Sequence, residues 1–214
     1  MSTTRLELYN DALTSLGERT LASLTENREP RRLLDVVWDA GAVDYCLELG
    51  QWNFAMRSVK LEYSPSVEPP WGYNRAFDKP TDYIRTCGVC SDEFFRTPLL
   101  GYVDEANYWF ASLDVIYVRY VSNDDEYGLD MNKWPKTFDK VVSSHLAAEI
   151  AWKLTQSEKR VAAANALLDK RLTRARSNDA MNQPTEIPAP GRWVTSRGRS
   201  GGSGDRGNNG SLIG

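Results

Sequence analysis

Histidine is almost missing from this sequence: His145 is the only one in 214 residues. Any Ser–His–Asp or Cys–His machine would have to use it, yet it stands in a helical pattern beside Leu146 and Ala147, the setting of a core or interface histidine. Cysteine is nearly as scarce. Cys46, Cys87 and Cys90 are too few for a disulfide framework and fit a reducing compartment. Cys87-x-x-Cys90 has ligand-like spacing, and Cys46 with His145 would complete a Cys3His zinc set. Those last two stand far off in sequence, so ordinary buried thiols are the better reading, and no metal or cofactor is expected. No run approaches the roughly 18 apolar residues of a membrane span. The opening Met1-Ser2-Thr3-Thr4-Arg5-Leu6 lacks the apolar stretch of a signal peptide. Walker loops and dinucleotide fingerprints are also missing. Neither sign of charge dominates: the net charge is −3, which gives no general reason to expect sequence-specific nucleic-acid binding.

What is present divides the chain into four helical patterns, a β-rich middle and a polar end. Ser2 or Thr3 can cap a first helix over 3–16, whose apolar stripe is Leu6, Tyr9, Ala12, Leu13 and Leu16, with Gly17 as its stop. Pro30 suits the first turn of a second helix over 29–50, striped by Leu33, Val36, Val37, Val43 and Leu47. Gly41 inside that stripe implies a close helix crossing or a kink. Thr137 can cap a third helix, 137–155, and a fourth follows over 158–177 with a basic outer face of Lys170, Arg171, Arg174 and Arg176. Between the second and third helices, Arg57 to Tyr63 alternates like a half-buried strand. Tyr83–Val89, Phe94–Thr97, Gly101–Val103 and Tyr108–Ala111 read as further strands or hairpin arms. Val115 to Val121 is apolar on both faces, as a central strand would be.

The stretch from Trp52 to Arg85 is the joint between these patterns. It opens with Trp52-Asn53-Phe54-Ala55 and closes with Lys79-Pro80-Thr81-Asp82-Tyr83-Ile84-Arg85. Pro65, Pro69 and Pro70 between them exclude a helix interior or a central strand. The interleaved aromatics, Trp71 among them, imply a loop packed down as an ordered surface. The end of the chain has another character: residues 181–214 hold eight glycines and three prolines, with Ile187, Trp193, Leu212 and Ile213 as the only large aliphatic or indole groups. A segment of that composition buries too little apolar area to fold alone. The expected fold is α+β: an antiparallel-type four-helix bundle from 1–56 and 135–180, a β-rich insertion at 57–134, and an extended arm at 181–214.

Asn10-Asp11-Ala12-Leu13, Leu16-Gly17-Glu18 and Ser23-Leu24, followed by Trp52-Asn53-Phe54-Ala55, Trp71, Phe77 and Pro80-Thr81-Asp82-Tyr83-Ile84-Arg85, form a series whose order and spacing resemble the head-to-tail adaptors of tailed bacteriophages. That group includes tail tubular protein A and podovirus tail accessory factors. The resemblance covers roughly residues 6 to 176 and marks Trp52, Phe54, Trp71, Pro80, Asp82 and Arg85 as its structural motif. It implies a virion protein of the neck, assembled in the host cytoplasm. Twelve copies would form a ring between the portal protein and the tail tube or nozzle, with the β-rich part facing the tail and viral duplex DNA passing through unread during ejection. It further implies that the C-terminal arm grips the portal, through Arg192, Trp193, Arg197, Arg199, Arg206, Leu212 and Ile213. A channel for DNA should be acidic or neutral, because a basic lining would hold phosphates. The arm carries four arginines against Glu186 and Asp205, which leaves −5 for the rest of the chain. Asp124, Asp125 and Glu126 are the candidate lining. Two alternatives stand beside the adaptor: a peptidoglycan-degrading tail enzyme, for which no catalytic motif can be matched, and a nucleic-acid-binding module resting on the basic helix and the arginines of the arm.

Overall fold

The structure, a computed structural model, describes residues 3–182. These form one compact α+β unit built from five α-helices and two three-stranded antiparallel sheets. The helix α1 (Arg5–Leu16) begins at Thr4, neither Ser2 nor Thr3: the Thr4 hydroxyl accepts from the Glu7 N–H, and the Glu7 carboxylate accepts from the Thr4 N–H. Gly17, at φ +74°, closes the helix in the left-handed conformation.

The expected four-helix bundle is corrected here. The second helical pattern is two helices, α2 (Glu29–Asp39) and α3 (Ala42–Glu48), because Gly41 adopts φ +94° between them. That conformation ends a helix, and glycine adopts it without a Cβ penalty. Neither a crossing nor a kink within one helix describes the position. Both long helices near the C-terminus, α4 (Lys136–Thr155) and α5 (Glu158–Met181), are present, with α4 packed along α5 and against α1, α2 and α3. Pro135 rather than Thr137 is the N-cap of α4.

The middle of the chain is two sheets. In the first, β6 (Val115–Ser122) lies between β1 (Met56–Glu62) and β3 (Tyr83–Cys90); in the second, β5 (Tyr108–Ala111) lies between β2 (Arg75–Asp78) and β4 (Tyr102–Glu105). Phe94–Thr97 is not a strand but a turn, in which the Asp92 carboxylate accepts from the Arg96 and Thr97 N–H groups. The register Met56–Val121 through Glu62–Val115 puts β6 in the centre. Its two faces then serve two cores, since side chains alternate along a strand. Ile116, Val118 and Tyr120 join Phe77, Val89, Trp109 and Ala111 between the sheets. Val121 faces the other way, into the helical core of Leu8, Leu13, Leu34, Leu47, Phe138, Leu146 and Ile150. Ile84 and Cys87 of β3 pack on that same helical core. The sheet therefore acts as a shared wall.

Candidate functional site

The joint is built around two carboxylates. The chain leaves α3 through Gly50, where a Cβ would sit 2.7 Å from the Trp52 indole. Trp52 is 1% exposed, donates its indole N–H to the Cys46 carbonyl at 2.9 Å, and meets the Phe138 ring edge-on. Phe54 packs on the same ring at 4.8 Å. After β1 and β2, a turn in which the Tyr83 N–H donates to the Pro80 carbonyl places Asp82 against β1 and β6. Its carboxylate accepts from Arg57 at 2.9 Å, from the Tyr120 hydroxyl at 3.1 Å and from the Ser122 hydroxyl at 2.5 Å. Burial opposes the charged form, but the bonds from Ser122, Arg57 and Tyr120 outweigh it and hold the Asp82 carboxyl below its ordinary value. Arg85 then reaches back to the Glu48 carbonyl at 3.0 Å. Five of the six motif residues thus take part in the framework: Trp52, Phe54 and Arg85 reach the helices, and Pro80 and Asp82 fix the turn against β1 and β6. Trp71 does not: it is fully exposed, so the expectation of a packed-down loop is corrected at this position.

A second carboxylate hub escaped the sequence reading. Asp104 of β4 is in contact with the Lys79 ammonium and accepts from the Thr86 hydroxyl at 2.5 Å and the Trp109 indole at 3.1 Å. Burial raises its pKa, while Lys79 and Thr86 lower it further, so the net direction is down. Lys79 also lies over the Tyr83 ring at 4.5 Å. Both charges are engaged, and the cluster pins β4 and β5 to the first sheet. Its members come from four separate segments, and no spacing in the sequence announces it.

The expected lining, Asp124, Asp125 and Glu126, forms the turn after β6. Asp124 accepts from the Glu126 N–H at 2.9 Å, whereas Asp125 and Glu126 are exposed. The basic face of α5 is narrower than its sequence implies. Arg171 donates to the Ser144 hydroxyl at 2.7 Å, and Arg176 donates through Nε to the Leu49 carbonyl at 2.9 Å. Lys170 and Arg174 remain outward, with no ion pair among the described residues.

His145 is buried beneath Tyr45, the two rings stacked at 4.5 Å. Burial lowers its pKa, against a smaller upward pull from Glu149. Cys46 lies in the helical core, where burial pushes its thiol up to about 12. Cys90 is buried in β3, and the Cys87 Sγ faces the Arg85 carbonyl. Among the described residues, no group of three or more His, Cys, Asp or Glu is arranged to hold a metal ion. No described helix is long and apolar enough to cross a membrane. Arg192, Trp193, Arg197, Arg199, Arg206, Leu212 and Ile213 lie outside the described residues.

No protein-family model matches the sequence, and no curated protein matches it. The surface offers one further signal. Among the described residues, large apolar side chains stand in solvent on connections of the β-rich part, at Trp71, Phe94 and Leu100, and on the helices, at Val36, Tyr45, Trp152 and Met181, with Leu24, Tyr63 and Leu129 less exposed.

Proposed function

We propose that this chain is a structural subunit, a head-to-tail adaptor that forms a ring, of twelve copies on the family resemblance, between a portal and a tail tube or nozzle. One observation carries the reading: large apolar groups stand in solvent both on the helices, at Val36, Tyr45, Trp152 and Met181, and on connections of the β-rich part, at Trp71, Phe94 and Leu100. Scattered exposed leucines need no explanation, but a fully exposed tryptophan and a leucine 91% exposed on the long connections between strands are characteristic of contact surfaces. A ring subunit needs one such set for its neighbours and another for a partner along the axis. The two carboxylate hubs suit that role, because they fix the strands of the β-rich part to one another. The arm from Pro184 to Gly214 would grip the portal, many weak contacts acting together to give strong retention. The acidic turn at Asp124, Asp125 and Glu126 would face duplex DNA without holding it.

Electron microscopy of the purified protein with and without portal tests the reading. Closed rings that stack on portal particles are the expected result. A monomer that never associates with portal would overturn it.

A further inference from the structure

We propose that the face shared by α3 and the C-terminal half of α4 is a docking site for the outer face of α5 on a second copy of this chain. Tyr45 is stacked on buried His145 yet remains 47% exposed. Glu149 follows one turn along α4 and Trp152, 55% exposed, two turns along, so both share the side of α4 on which Tyr45 rests. Glu48, one turn beyond Tyr45 on α3, is exposed as well. The result is two half-exposed aromatic rings flanked by two carboxylates that make no ion pair among the described residues. Aromatics at the centre of a patch, with charge at its rim, match the composition of protein interfaces. Lys153 stands exposed one turn past Glu149 and Arg85 bonds the Glu48 carbonyl, so the rim is mixed in charge, and its two carboxylates, without an ion pair among the described residues, fit a partner face that presents cations.

The outer face of α5 fits that description. Lys159, Ala163, Ala166, Lys170 and Arg174 fall at intervals of three and four residues, and all are exposed. The two alanines leave room for a flat ring to lie on the helix, and cations stand at both ends. Lys159, Lys170 and Arg174 make no ion pair among the described residues, so they are available to the two carboxylates and to the ring faces. Within one chain the two faces cannot meet. Arg171 bonded to Ser144 sets α5 on the Ser144 side of α4, whereas Tyr45 rests on His145, the next residue, about 100° further round the helix. The contact therefore joins two copies through unlike surfaces. Such head-to-tail contacts either close into a ring or continue as a filament. Closure rests on the adaptor reading; the contact itself does not.

The test uses the full chain and two charge reversals, Glu48→Lys with Glu149→Lys and Lys170→Glu with Arg174→Glu. Each is checked for folding by circular dichroism and for association by mass photometry over a range of concentration and salt. Either reversal is expected to weaken association at least about tenfold, and all four changes in one chain to restore it. Independently, Trp152→Cys with Ala166→Cys should cross-link between copies, the bond being located by peptide mass spectrometry. Association that ignores both reversals, with no cross-link, overturns the contact and leaves the ring reading standing. An open ladder of cross-linked copies without closed rings supports the contact and removes the ring reading. A protein that stays monomeric and does not cross-link at any concentration overturns the contact, and the ring reading is then decided by the portal images.

Discussion

Asn53 and Asp179 hold each other from both sides across 126 residues of sequence. The Asn53 N–H donates to the two Asp179 carboxylate oxygens at 3.2 and 3.1 Å, and the Asn53 side-chain amide donates to the Asp179 carbonyl at 2.8 Å. The turn before β1 is thereby fastened to the last turn of α5. Burial raises the Asp179 carboxyl above its ordinary value, partly offset by the Asn53 N–H. A raised carboxyl costs stability above its folded pKa, and the cost disappears as pH falls toward the unfolded value of about 3.9. Asp179→Asn keeps an acceptor for the Asn53 N–H and removes the charge. It should match or exceed the parent in urea unfolding at pH 7, by up to about 1 kcal/mol, and lose that part of the pH dependence. Asp179→Ala, which removes the acceptor, should cost about 1–3 kcal/mol.

Asp82 should behave in the opposite sense. Its carboxyl is held low, so its contribution is fully present above about pH 3.9 and is lost as pH falls through the folded value. Arg57 is partly exposed and adds little, but Tyr120 and Ser122 are fully buried and would lose their acceptor. Asp82→Ala should therefore cost about 2–3 kcal/mol at pH 7, and a urea series from pH 7 to pH 3 should show a shallower acid loss than the parent.

Gly128 and Gly88 form a matched pair. A Cβ at Gly128 would fall 2.2 Å from the Ser122 carbonyl oxygen and 2.8 Å from a Leu47 methyl, while a Cβ at Gly88 meets nothing within 4 Å. Gly128→Ala should lower stability by about 2 kcal/mol or more, because the backbone of β6 cannot give way cheaply. Gly88→Ala should be near neutral. Equal thermal midpoints for the two variants would contradict the packing described at Gly128.

The two tryptophans of the motif separate structure from contact. Trp52→Ala empties a site in the helical core and should cost about 3–5 kcal/mol. Trp71→Ala should leave the thermal midpoint unchanged, since the side chain is fully exposed, and on the proposed adaptor role it should weaken attachment to a tail protein. A large stability loss at Trp71 would show that it packs in the folded chain.

A chain ending at Gln183 retains the compact unit that spans residues 3–182. It should fold with the full-length helical signal in circular dichroism and, on the proposed adaptor role, lose stable binding to portal. Tight binding by the truncated chain would place the grip elsewhere.

Local physics was legible without coordinates. The stripes of Tyr9, Leu13 and Leu16 and of Val141, Val142, Leu146 and Ile150 specify helices because a 3.6-residue period leaves one face to bury. Gly17 marks a helix end, since glycine alone adopts its conformation freely. Apolar residues on both faces of Val115–Val121 identify a strand with neighbours on both sides, and β6 is that strand. Other features depend on partners distant in sequence. Whether Gly41 kinks a helix or separates two is decided by how α2 and α3 each pack on α4. Arg75-Ala76-Phe77-Asp78 is too short to carry a pattern, and becomes β2 only by pairing with β5. The hubs at Asp82 and Asp104, and the grip of Asp179 on Asn53, are bonds between segments 5 to 126 residues apart. A carboxylate reads the same in sequence whether water or a buried hydroxyl surrounds it. Periodicity and turn chemistry act over a few residues, so the sequence alone determined α1, α4, α5 and the central strand β6. Burial and hydrogen bonding act through space, so the two sheets, the engaged carboxylates and the aromatic groups left in solvent were decided only by the tertiary structure.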